Sequence, residues 1–112
     1  MSEIDIARDF SRLPGGRYRR HGKWSGEAFR EDLLSPALTK GQEVHVIFDG
    51  PPGYPPSFIE EAFGGLLRAG FREADLKAKL RLEARAARYA TYVEQAWKYI
   101  HEEAGRQASR SH

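Results

Sequence analysis

The chain has 112 residues, a formal net charge of +2, 40% hydrophobic residues and no cysteine, so it has room for one domain with one core. The missing cysteine removes disulfides, thiolate chemistry and cysteine-ligated zinc or iron–sulfur sites, and a charge so near zero argues against a nucleic-acid interface. No apolar run approaches the roughly 20 residues of a membrane helix, and Glu3 and Asp5 stand where a signal peptide would be basic, so the expectation is a cytoplasmic protein.

In chain order, Ile4 and Ile6 alternate with polar neighbours, a short strand signal. Leu13-Pro14-Gly15-Gly16 is a turn. A basic segment follows: Arg8, Arg12, Arg17, Arg19, Arg20 and Lys23 face only Asp9 between positions 8 and 23. Ser25 can cap a helix whose apolar stripe is Phe29, Leu33 and Leu34, and Ser35-Pro36 should end or kink it. Val44 to Phe48 is β-branched and nearly all apolar, as a central strand covered on both faces would be.

The loop from Asp49 to Pro56 cannot be regular structure. Ser57 then starts a helix with a capping box to Glu60, along which Phe58, Ala62 and Leu66 share a face with Ile59, Phe63 and Leu67 beside it. Gly70 is its stop. From Leu76 to Ala84 the period is two, which predicts a strand with one wet face at a sheet edge, where Lys77 and Lys79 discourage outside pairing. The last helix carries Ala86, Tyr89, Val93, Ala96, Trp97 and Ile100 on one face. Helices are therefore expected near residues 26–35, 57–70 and 85–104. Residues 1–104 form a single domain in this reading, and 105–112 a flexible polar tail. Strands alternating with helices imply an α/β fold with a mostly parallel or mixed sheet, whose ligands gather at the carboxyl ends of the strands.

PGGRY, SGEAFR and SFIEEAFGGL, in this order, are the most specific parts of two longer stretches that resemble the STAS-like domain-of-unknown-function family, over roughly residues 4 to 100. The resemblance implies a sheet of about four strands with three to four helices. It also implies a distant similarity to anti-sigma-factor antagonists. In those proteins a strand, a short loop and a serine opening a helix form a switch, and an ATP-dependent kinase partner phosphorylates the serine. Strand Val44 to Phe48, the following loop and Ser57 are similar to that arrangement, although prolines precede Ser57 and Phe58-Ile59-Glu60-Glu61 follow it. Tyr54, Phe58 and Glu61 would then belong to the partner surface, and the partner would be a histidine-kinase-like ATPase.

The residues also offer an alternative, a nucleotide or phosphate ligand. Gly15 and Gly16 let backbone amides approach an anion, Arg17 and Arg19 supply forked donors, and the amides after Ser25 and Gly26 open a helix. The loop is not a Walker A sequence, since the lysine and its hydroxyl neighbour are missing. Ser57, His45 and Asp49 do not read as a hydrolytic triad, because a nucleophile elbow needs flanking glycines where Pro56 and Phe58 stand. Glu60 and Glu61, being adjacent, should face different directions around their helix. The four histidines are far apart, so no metal or cofactor is expected, and a binding protein is expected rather than an enzyme.

Overall fold

The computed structural model describes residues 2–110. Three parallel strands form one sheet in the order β1-β2-β3, with β1 at Ser2–Asp5, β2 at Val44–Ile47 and β3 at Leu80–Glu83. Val44 pairs with Ser2 on one side and Leu80 on the other, and Val46 with Ile4 and Leu82. The expected central strand is central, and Val44, Val46, Ile47 and Phe48 are buried. The fourth strand implied by the resemblance is not among the described residues.

A helical turn of five residues, Ile6–Phe10, follows β1 directly. Helix α1 covers residues 26–39, α2 residues 56–68, α3 Glu73–Lys79 and α4 Ala90–Arg110. Both α1 and α2 widen in the middle into a π-type turn, at Arg30–Leu34 and Glu60–Gly64. The first of these explains why Pro36 does not stop α1. A widened turn just before it, with Ser35 N–H donating to the Arg30 carbonyl, moves the carbonyl that the ring would strike.

Two expectations are corrected. The period-two run from Leu76 to Ala84 is helix as far as Lys79 and strand only from Leu80. Leu76 and Leu80 are also four apart, both are buried, and the lysines and alanine between them are good helix formers. Lys77 and Lys79 therefore lie on α3, and Arg81 is the basic residue of the edge strand. The last helix starts later than expected and runs through Gly105 to Arg110. Arg106 and Arg110 each donate to Glu103 at 3.0 Å across that stretch, offsetting the roughly 1 kcal/mol that glycine costs a helix. The expected tail is thus helical over residues 105–110, and residues 111–112 lie outside the described part.

The core joins the inner row of the sheet to Phe29, Leu34, Phe58, Ile59, Phe63, Leu66, Ala96 and Ile100 from α1, α2 and α4. Phe48 stacks on Phe63 with ring centres 5.6 Å apart. No helix of the described residues is long and apolar enough to cross a membrane.

Candidate functional site

The segment 14–26 folds back on itself and lies against the start of α2. Gly15 N–H donates to the Trp24 carbonyl and Gly26 N–H to the Gly16 carbonyl, both at 2.9 Å, and Glu27 N–H to the Arg17 carbonyl at 3.0 Å. Gly16 adopts a φ of +87°, open to glycine at little steric cost. Ser25 is wholly buried and is the N-cap of α1, its hydroxyl accepting from Ala28 N–H at 3.1 Å. At Gly26 an added Cβ would collide with the Phe58 carbonyl oxygen, so the two helix backbones touch there. The two stretches singled out in the sequence, the Gly/Arg loop and the Ser57 helix, are therefore one site.

Within that site the amides of Gly26 and Glu27 are already engaged by loop carbonyls, and Ser25 and Gly26 are buried. Arg17 turns inward to Glu60 and Glu61, and Arg19 pairs with Glu31 at 3.1 Å and Asp32 at 2.6 Å. The backbone amides expected to receive an anion are used within the loop, and Arg17 and Arg19 are each paired with carboxylates. The capping box at Ser57 is corrected: Pro55 is the N-cap, with no side-chain hydrogen bond, and Ser57 sits half-buried in the first turn. Pro55 already has the extended backbone that a cap position needs, and Glu60 is drawn away by Arg17 and Arg68.

Tyr54, Phe58 and Glu61 are also corrected. All three are buried, so none can form a contact surface for a separate protein. Tyr54 O–H donates to the Phe48 carbonyl at 2.6 Å, and burial pushes its phenol well above the ordinary value. Phe58 packs among Phe10, Phe29 and Tyr54. Glu61 accepts from Arg30 at 2.7 Å. Asp49 accepts from the amides of Arg85 and Ala86 at 2.8 Å each, tying the end of β2 to the segment after β3.

The ionic cluster beneath this site was not foreseen, because nothing in the spacing links Arg30, Arg68 and Glu103. The sign that points to it is a pair of glutamates at the widened turn of α2, a feature frequent at functional positions. Glu60 and Glu61, expected to diverge, both accept from Arg17 and from Arg68, since long guanidinium side chains reach across the helix surface. Burial pushes the Glu60 carboxyl up, but the hydrogen bonds of Arg68 and Arg17 outweigh it and hold it below its ordinary value. Glu103 is likewise raised by burial and, on balance, lowered by Arg106 and Arg110.

What faces outward is apolar. Leu13 is 71% exposed and Trp24 38%, the two large hydrophobic side chains left in solvent among the described residues. Trp24 stands edge-on to Phe10 with ring centres 5.4 Å apart, and the Lys23 ammonium lies over the Trp24 ring at 5.0 Å. The Gly15–Trp24 hydrogen bond brings their two turns together, and Gly15 abuts Pro55, two residues before Ser57. Arg12, Arg20 and Lys23 are exposed around it. A separate groove of about 710 Å³ lies between β3 and α4, floored by Leu80, Leu82, Val93 and Trp97, and contains none of the residues expected to be functional. Among the described residues no cluster of histidine, aspartate and glutamate could hold a metal ion.

No curated protein and no solved structure is similar enough to count as a relative. A family model described as a STAS-like domain of unknown function (DUF4325) matches residues 25–84. That span runs from the cap of α1 to the end of β3 and includes Ser25, Gly26, Tyr54, Ser57, Phe58 and Glu61, whereas Gly15, Gly16, Arg17 and Arg19 precede it.

Proposed function

The chain belongs to the STAS-like family of unknown function, and from that premise we propose that it is a protein-interaction module with a regulatory role. Its contact surface is Leu13, Trp24 and Pro55, with Ser57 at the margin. The observation that carries this reading is the exposure of Leu13 and Trp24 on the loop that rests against the Ser57 helix. Exposed aromatic and aliphatic groups with a polar rim are the usual form of a partner site, and tryptophan is a frequent anchor in one. The basic fringe of Arg12, Arg20 and Lys23 suits a partner whose surface is apolar and acidic.

The resemblance to anti-sigma-factor antagonists supports a finer reading, in which the partner is a histidine-kinase-like ATPase and Ser57 is the switch. Phosphate there would add nearly two negative charges at pH 7, one helical turn from Glu60 and Glu61, the two glutamates that now hold Arg17. This is a reading of a binding protein rather than a catalytic one.

The test is site-specific photocrosslinking in the protein's own cells, with the crosslinker at position 24 and, as a control, at position 98 on α4. A single protein should be trapped from position 24 and not from position 98, and Leu13→Ala should remove it. Equal trapping from both positions, or no effect of Leu13→Ala, would overturn the proposal.

A further inference from the structure

Four arginines from three segments converge on two carboxylates. Glu60 receives Arg17 and Arg68, the latter at 2.9 and 3.0 Å, with Arg106 at 3.8 Å. Glu103 receives Arg68, Arg106 and Arg110, each at 3.0 Å. Beneath them Glu61 accepts from Arg30 at 2.7 Å and also from Arg68 at 3.3 Å and Arg17 at 3.5 Å. Five guanidiniums thus meet three carboxylates, which leaves two positive charges uncompensated in one place. Their arrangement has a direction as well. The carboxylates lie low, with side chains 15% and 3% exposed, while Arg17, Arg68, Arg106 and Arg110 are 32%, 37%, 49% and 63% exposed. The outward surface is guanidinium and the inward one carboxylate.

Guanidiniums repel one another when gathered, and the three glutamates offset only three of the five charges. A further anion above the cluster would complete it. A peptide carboxylate brings one charge and two acceptor oxygens, which leaves the cluster still positive. A phosphate dianion brings two charges and three oxygens, and the planar fork of arginine matches it in bidentate fashion. Rotation of the exposed ends of Arg106 and Arg110 would present donors upward, because Glu103 keeps Arg68 as a partner.

We propose that Arg17, Arg68, Arg106 and Arg110 form a binding site for the phosphate groups of a phosphorylated small molecule. The site uses none of Leu13, Trp24 and Pro55, and its proposal does not depend on that surface. It also differs from a phosphate site on the backbone amides of residues 15–27, since those amides are used within the loop.

The test is calorimetric titration of the whole chain with inorganic phosphate, pyrophosphate and adenosine diphosphate at constant ionic strength. Saturable binding of pyrophosphate is expected, and adenosine diphosphate binding more tightly would assign the ligand to the nucleotides. Arg110→Gln, at the most exposed of the four, and Arg106→Lys, which keeps the charge but loses the fork, should each weaken binding by about tenfold. Arg85→Gln, just after β3 and paired with Glu83 rather than with any carboxylate of the cluster, should leave it unchanged. Circular dichroism verifies that each variant is folded. No saturable binding up to millimolar concentration, or an equal loss in Arg85→Gln, would overturn the assignment.

Discussion

Arg30 donates from one nitrogen to both the backbone carbonyl and the carboxylate of Glu61, at 2.6 and 2.7 Å. Arg30 comes from the widened turn of α1 and Glu61 from that of α2, so this one side chain clamps the two helices where they also touch at Gly26. Both side chains are 10% exposed or less. Removing one partner would leave a buried charge with its lone pairs or donors unmatched. Arg30→Met or Glu61→Leu alone should therefore cost about 3–5 kcal/mol. Replacing both together should cost much less than the two losses added, and urea unfolding of the four proteins measures the difference.

The lowered carboxyls of Glu60 and Glu103 make stability depend on acid. A carboxylate whose value is depressed by folding adds stability that is full above its unfolded value and lost as pH falls through its folded one. With both groups below the ordinary glutamate value, which is about 4.3 in model peptides, the loss should begin near that pH and continue below it. Nothing comparable is expected on the alkaline side from Arg68, whose already high value is raised further, chiefly by its hydrogen bond to Glu60. Thermal midpoints measured from neutral pH downward should fall along this course, and Glu103→Gln should flatten it while lowering stability at neutral pH.

Two serines that look alike in sequence should behave differently. Ser25 is a buried cap, so Ser25→Ala should destabilise by about 1–2 kcal/mol. Ser57 sits inside the first turn and caps nothing, so Ser57→Ala should change stability by less than about 0.5 kcal/mol. Ser57→Asp should be folded too, since a negative charge suits the first turn of a helix. If Ser57 is the switch, that variant should bind the crosslinked partner more weakly; equal binding would remove the switch. Denaturation curves and partner titration of the three variants decide both points.

Gly26→Ala tests how close α1 and α2 come. The new Cβ would meet backbone, the Phe58 carbonyl and the Ala62 amide, as well as the Glu61 side chain. Backbone cannot rotate away as a side-chain tip would, so the helices must separate, at a cost of about 1–3 kcal/mol. Gly41→Ala makes a useful contrast. Nothing lies near its Cβ, but its φ of +81° strains any other residue, so its loss should come without any change at the α1–α2 contact. Amide exchange at Phe58 to Ala62, measured in both variants, separates the two causes.

Local chemistry was legible in the chain itself. Val44 to Phe48 is central and buried because a run of β-branched and aromatic residues has no other stable place. Ser25 caps α1, and Gly70, with a φ of +108°, follows the end of α2, because each depends on a few neighbouring residues. Where two local rules fit the same residues, the outcome was not legible. Leu76 and Leu80 satisfy both a two-residue and a four-residue period, and packing against α4 chose helix and then strand. The direction of Tyr54, Phe58 and Glu61 lay further out of reach, since a loop aromatic and a helix glutamate face solvent or core according to what is brought against them. That was decided by α1, whose Gly26 lets it press onto α2, and by Arg17, Arg30 and Arg68, which arrive from separate segments to make a buried glutamate tolerable. Charges pair by distance in space, and the sequence states only their distance along the chain.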